Sequence, residues 1–303
     1  MALNNIVSII TEERNPVSMK IDQMNTEEII RLINQEDAKV AEAVRAEIPA
    51  IKKTVDMIVD RMRKGGRLFY VGAGTSGRLG ILDAIECGPT FSVEKGKVVG
   101  ILAGGEKAMF ISQEETEDDF DMGAKAIKKY SINDLDSVIG IAASGNTPYV
   151  LGAIEEAKKH GALTMGLVCI IGSLLGKKVD IAIAPIVGPE VITGSTRMKA
   201  GTAQKIVLNT ISTTVMIKLG KVYSNLMIAL NPTNYKLRER AKNIFMEITN
   251  ANYDAAEEYL KKADYNIKAA IVMYRKGVTL EKALKLLEEK KGILTRIIDS
   301  NSN

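Results

Sequence analysis

The chain has 303 residues, 46% hydrophobic and 26% charged, with a net charge of +4 at pH 7. That is enough for one large domain, or a medium domain with helical additions, around a sizeable core. The charge is a small difference between 41 basic and 37 acidic residues. With no dense basic tract and no aromatic–basic interleaving, it gives no footprint for nucleic acid.

Targeting signals are not evident. The apolar patch Ile6 to Ile10 precedes Glu12, Glu13 and Arg14 and is too short for a secretory leader. No uninterrupted apolar stretch reaches the roughly 20 residues needed to span a bilayer. A cytoplasmic protein without a membrane segment is expected. Cys87 and Cys169 show neither a disulfide framework nor zinc spacing, and read as buried small side chains in a reducing compartment.

From about Asn25 to Arg63 the pattern is helical. Asn25 or Thr26 can cap a start at Glu27-Glu28, followed by the stripe Ile29, Ile30, Leu32 and Ile33. A second helix is expected from Ala38 through Met62, ended or kinked at Pro49. Gly65-Gly66 then stops the helices. Next come strand candidates at Arg67–Val71, Lys97–Leu102, Ser137–Ala142, Leu163–Val168 and Asp180–Ala184. They are short apolar runs, as in strands covered on both faces. Helical patterns near Leu79–Glu86, Glu117–Lys129 and Tyr149–His160 lie between them.

This order predicts an α/β fold, a doubly wound five-stranded parallel sheet with ligands at the carboxyl ends of its strands. A long helix is expected over Met198–Leu219, stopped by Gly220. The short amphipathic helices Ala255–Lys262, Ile267–Arg275, Leu280–Glu289 and Leu294–Ile298 suggest a small helical C-terminal domain. The expected division is 1–45 (N-terminal helices), 46–235 (the sheet domain) and 236–303.

Two strand–loop–helix junctions carry the functional signal. The first is Gly72-Ala73-Gly74-Thr75-Ser76-Gly77-Arg78, where backbone N–H groups and two hydroxyls meet a helix N-terminus, a setting that favours an anion. The second is Ser144-Gly145-Asn146-Thr147-Pro148, with side chains to hydrogen-bond a ligand and a glycine that admits close approach. Either loop alone could simply cap its helix. Together, on one sheet, they favour a ligand site.

Neither loop is a Walker A sequence. The first matches dinucleotide glycine spacing, but hydroxyls crowd the turn and no acidic residue clearly follows the next strand near Ile101-Leu102, so a nicotinamide cofactor is not expected. A third polar segment runs from Gly188 to Lys199. There Ser195 and Thr196 could cap the long helix or bind an anion. Arg197 and Lys199 could add charge or form only a solvated helix start.

Several segments together are more specific. Thr11-Glu12-Glu13-Arg14-Asn15, Asn34-Gln35-Glu36-Asp37, Gly72 through Glu86, Ile141 through Tyr149, Gly188 through Lys205 and Lys221 through Met227 resemble the sugar isomerase (SIS) fold group. Within it, nearly the whole chain resembles the N-acetylmuramic acid 6-phosphate etherase family. The resemblance implies cleavage of the D-lactyl ether of a phosphorylated amino sugar, without a metal or redox cofactor, by a homodimer. It implies that Glu86 and Glu117 are the acid/base pair, Glu86 matching the proton donor. Gly74, Thr75, Ser76, Ser144, Asn146, Thr147, Ser195 and Lys199 are the expected substrate ligands.

The residues themselves support the two carboxylates unequally. Glu86 follows an apolar segment and precedes Cys87-Gly88-Pro89, expected to break the helix. Glu117 sits in the acidic run Glu114-Glu115-Thr116-Glu117-Asp118-Asp119, a usual solvated helix start. Were the helix from Ser76 to Glu86 unbroken, its rise would separate them by about 15 Å. Two positions depart from the family pattern, Ile170-Ile171 in place of Asn-Pro and Ala229 in place of Asp. His160 reads as a helix-end residue. A sugar-phosphate-binding regulator and an aldose–ketose isomerase are the alternative readings.

Overall fold

The computed structural model describes residues 10–230, 232 and 234–299; residues 6–9 of the short apolar patch lie outside these. The chain divides into two compact units. One comprises residues up to Ile85 with Gly96–Ser212, the other Glu86–Lys95 with residues from Thr213 onward.

In the first unit, a reciprocal cap starts α1 (Thr26–Asp37). Asn25 Oδ1 accepts the Glu28 N–H at 3.0 Å, and Glu28 Oε2 accepts the Asn25 N–H at 2.8 Å. The expected second helix is two helices, α2 (Val40–Ala46) and α3 (Ile48–Arg63). Pro49 lies in the first turn of α3, where its missing N–H breaks no helical bond.

Five parallel strands follow: β1 (Leu68–Gly72), β2 (Val98–Leu102), β3 (Ser137–Ile141), β4 (Leu163–Leu167) and β5 (Ile181–Ile183). Their spatial order is β2-β1-β3-β4-β5. The chain steps outward from β1 to β2, then crosses back to β3 on the other side of β1. The switch point therefore lies between the carboxyl ends of β1 and β3, where Gly72 pairs with Ile141.

The helices of this unit are α4 (Gly74–Phe91), α5 (Phe120–Lys128), α6 (Pro148–Lys159), α7 (Leu174–Lys178) and α8 (Lys199–Lys218). Both α4 and α8 also contribute residues to the second unit. Period-two alternation explains the two covered faces. Gly80 of α4 approaches Tyr70 and Ile141, whereas Phe69, Val71 and Val138 pack in one cluster with Val150 and Ile154 of α6. A Cβ at Gly77 would lie 2.5 Å from the Gly72 carbonyl oxygen and 2.5 Å from Leu102 Cδ1. Hence only glycine lets α4 lie this close to β1.

Contrary to expectation, Cys87-Gly88-Pro89 does not break α4, which carries Pro89 inside it. Proline there forfeits a single bond, to the Ile85 carbonyl, near the helix end. The following Ser92 is left-handed, at φ +47°.

The second unit is built on α9 (Tyr235–Thr249), α10 (Tyr253–Lys262), α11 (Ile267–Lys276), α12 (Leu280–Glu289) and α13 (Thr295–Ile298). Asn234, Asn252, Asn266 and Thr279 cap four of them through their side chains, and Gly277 ends α11 at φ +62°. Phe245, Tyr259 and Tyr274 pack ring against ring in its core, with centroids 5.2–6.2 Å apart. The buried Lys242 is neutralised by Glu239 and Glu257. Among the described residues, no helix is long and apolar enough to cross a membrane.

The Gly72–Gly77 contact generates a prediction. Gly77→Ala should destabilise the protein by about 1–3 kcal/mol, because the new methyl meets the Gly72 backbone, which cannot give way as the Leu102 side chain can. Urea unfolding monitored by circular dichroism measures it, and an unchanged midpoint would contradict so tight an approach.

Candidate active site

The first loop turns at Gly74, whose φ of +51° suits glycine, directly into the first turn of α4. Thr75 and Ser76 are half-buried on that turn. A Cβ at Gly201 would sit 3.5 Å from Thr75 Cγ2, so the start of α8 runs beside this loop. The Ser76 hydroxyl donates to Gln204 Oε1 at 2.9 Å.

The second loop follows β3, next to β1 in the sheet. Ser144 Oγ accepts the Asn146 N–H at 3.3 Å, which leaves the hydroxyl proton available to a ligand. Gly145 has φ +63°, and a Cβ there would strike Ser173 at 2.4 Å. Thr147 is the N-cap of α6, but its side chain makes no capping bond. Hydroxyls from two helix N-termini thus stand on adjacent strands at the switch point.

Glu117 belongs with this second loop. Its carbonyl accepts the Tyr149 N–H at 3.0 Å, two residues beyond Thr147. The packing of α5 on α6 is backbone-close, since a Cβ at Gly123 would lie 1.9 Å from the Tyr149 carbonyl oxygen. From the other side, Arg78 Nε of α4 donates to the Ala108 carbonyl at 2.9 Å, tying α4 to the segment after β2. Glu117 is an exposed residue whose carboxyl is partly withdrawn from water. Partial burial, then the charges of Asp118 and Glu114, raise its pKa above the ordinary glutamate value.

Glu86 is exposed on α4 and belongs to the second compact unit.

Ser195 is half-buried in the turn before α8, where its carbonyl accepts the Met198 N–H at 3.2 Å. Lys199 is placed differently from the expectation of an anion ligand. It is 1% exposed, and its Nζ donates to Glu36 Oε2 at 2.6 Å. Asn15 Nδ2 donates to the same oxygen at 2.9 Å and to the Pro189 carbonyl at 3.1 Å, while Lys39 pairs with the other oxygen. Burial alone would raise the Glu36 carboxyl, but hydrogen bonds from Lys199, Lys39 and Asn15 outweigh it and hold it at about 2. Glu190 completes the network, its carboxylate accepting the Lys199 and Ala200 N–H groups at 3.0 and 2.9 Å to cap α8.

Sequence reasoning missed Glu36 and Gln204 as residues that shape the site. The first has a signal, an acidic residue inside a family-like segment. The second has none, because a glutamine on a long helix is ordinary. Among the described residues, no cluster of three or more His, Cys, Asp or Glu side chains is arranged to hold a metal ion. An open groove of about 530 Å³ is lined by Thr26, Glu27, Ile30, Arg31 and Asn34 of α1 and its start, and contains none of the residues above.

The chain matches the model of the glucokinase regulatory protein N-terminal SIS domain over residues 50–158, and a UBA-like domain over residues 243–274. It is 55% identical over 290 residues to N-acetylmuramic acid 6-phosphate etherase of Caldanaerobacter subterraneus, covering 96% of this chain and 95% of that protein. The etherase of Lactobacillus johnsonii is 50% identical, with 98% and 99% covered, and that of Clostridium beijerinckii 48%, with 99% and 98%. Among solved structures, a phosphoheptose isomerase from Francisella tularensis superposes with a TM-score of 0.50 at 18% identity, covering 64% of this chain and all of that one. That likeness concerns the fold.

The Glu36–Lys199 pair gives a second prediction. Lys199→Met leaves a buried carboxylate without its one buried cation among the described residues, so stability should fall by about 3–5 kcal/mol. Denaturant unfolding at neutral pH measures the loss. A change below about 1 kcal/mol, the scale of an exposed ion pair, would show that the pair does not hold the Gly188–Lys199 segment.

Proposed function

As the chain belongs to the N-acetylmuramic acid 6-phosphate etherase family, we propose that it cleaves the D-lactyl ether of N-acetylmuramic acid 6-phosphate. The observation that carries this reading is near-complete alignment with etherases at about half identity, joined to two hydroxyl-bearing loops at the sheet's switch point.

Direct displacement of an alkoxide from a sugar carbon is slow, and elimination avoids it. In the open-chain sugar the C1 aldehyde acidifies the proton on C2. Glu117, as carboxylate, takes that proton. Glu86, as acid, delivers one to the C3 oxygen, and D-lactate departs, leaving a C2–C3 double bond. Water then adds at C3 and a proton returns to C2, giving N-acetylglucosamine 6-phosphate. One water is consumed, and no oxidant or reductant is needed. The raised pKa of Glu117 suits it to hold a proton between steps.

Gly74, Thr75 and Ser76 would hold the phosphate end at the α4 N-terminus, and Ser144, Asn146 and Thr147 the sugar or phosphate from the next strand. Ser195 is a further candidate ligand. Lys199, committed to Glu36, is assigned to support rather than to contact. A phosphorylated amino sugar is thus the small-molecule partner, a homodimer the working assembly, and the cytoplasm the expected location.

Incubation of purified protein with N-acetylmuramic acid 6-phosphate should release D-lactate, and the active species should sediment at twice 32.9 kDa. Glu86→Gln and Glu117→Gln should each lower kcat at least about a hundredfold, within the usual range for losing general acid–base catalysis. Folded protein that yields no lactate would refute the assignment, as would a ketose product.

The pH profile tests the role of Glu117. As a base it must be ionised, so its raised pKa places the acid limb of kcat/KM above the ordinary glutamate range. Asp118→Asn removes a negative charge that raises it and should move the limb to lower pH. A limb that stays in place would belong to another group.

A further inference from the structure

Gln204 lies on α8 one turn beyond Gly201, the residue that meets Thr75. It is 1% exposed. Its Oε1 accepts the Ser76 hydroxyl at 2.9 Å. Its Nε2 is shut from water and has no hydrogen-bond partner among the described residues. Buried amide N–H groups are rarely left unpaired, since they forgo water without recompense.

The polarity of the pair matters for an anion. Ser76 has one hydroxyl proton, and giving it to Gln204 leaves only lone pairs towards the loop. A phosphate ester is itself an acceptor. In this hydrogen-bond state the first loop therefore offers the phosphate backbone N–H groups but no proton from Ser76.

We propose that Gln204 is a positioning residue that switches the Ser76 hydroxyl from acceptor to donor by a half-turn of its carboxamide when phosphate binds. After rotation about Cγ–Cδ, an N–H of Gln204 donates to Ser76 Oγ, and the hydroxyl proton turns to a phosphate oxygen. The carboxamide oxygen and nitrogen are nearly the same size, so the turn needs no repacking of α8. The turn gives the unpaired N–H an acceptor in Ser76 Oγ and places the carboxamide oxygen where Nε2 lay. The proposal rests on the etherase reading and deepens it at the phosphate end of the substrate.

The test begins with wild-type protein, its D-lactate release and its calorimetric affinity for N-acetylglucosamine 6-phosphate. Gln204→Glu keeps the shape but, ionised, can only accept. It should weaken binding at least about tenfold and raise KM, with kcat at saturation within about threefold of wild type. In a Ser76→Ala background the same change should cost at least about threefold less, the remainder being the carboxylate's repulsion of phosphate, because the hydroxyl it directs is gone. Gln204→Met, with no charge to bury, repeats the cycle should the Glu variant unfold in a thermal melt; its loss should vanish beside Ser76→Ala. A loss that persists in full without Ser76, or no loss in either variant, would overturn the proposal. Absence of lactate from wild-type protein would instead overturn the etherase reading, while the binding cycle would still decide the role of Gln204.

Discussion

The contact on which the site depends is backbone against backbone. Gly72 and Gly77 let the first turns of α4 settle onto β1 with no side chain between them, and Gly80 and Gly100 continue the approach towards Tyr70 and Ile81. A helix N-terminus attracts an anion only over a short range, within about its first turn. Its value here comes from being fixed over the point where the strand order reverses. Were α4 held off by even one methyl group, the N–H groups of Gly74 to Ser76 would no longer share that point with the loop after β3.

A second constraint is the buried charge network around Glu36. Asn15, Glu36, Pro189 and Lys199 are remote in sequence, yet one carboxylate oxygen collects donors from both Asn15 and Lys199. Such a network costs desolvation and gives most when every member is paired. It directs the Gly188–Lys199 segment into α8, whose next turns present Gly201 to Thr75 and Gln204 to Ser76. The N-terminal residues thus bear on the loop at β1 without approaching it themselves. A cation fully engaged in this way is a strut.

Much of the fold was legible because it rests on local signals. The five apolar runs became the five strands, and Asn25 formed the cap its side chain allows. The errors have physical causes. In the sequence Pro89 reads as a stop, but near a helix end one lost bond is small beside the remaining packing. Helix α9 escaped notice because Lys236, Arg238, Glu239 and Arg240 crowd its start and hide the stripe Ala241, Ile244, Phe245 and Ile248. At the candidate site, the loop hydroxyls followed from strand-turn-helix grammar. The fate of Lys199 did not, because its partner lies far away in sequence and a lone lysine at a helix start looks the same whether solvated or buried. Gln204 was illegible for the same reason, its meaning arising only from the hydroxyl opposite.

The hydrogen bond from the Tyr149 N–H to the Glu117 carbonyl has a wider implication. It fastens the acidic segment to the helix that begins at the second loop, and the Gly123 approach to Tyr149 stiffens the joint. The second loop and the Glu117 carboxyl are then mounted on one bracket. A substitution that tilts α6 to suit a bulkier sugar would carry the Glu117 backbone with it and change how far its carboxyl is withdrawn from water. Under the proposed roles, substrate range and working pH would drift together in descendants of this protein, and separating them would require remaking the seam between α5 and α6 first.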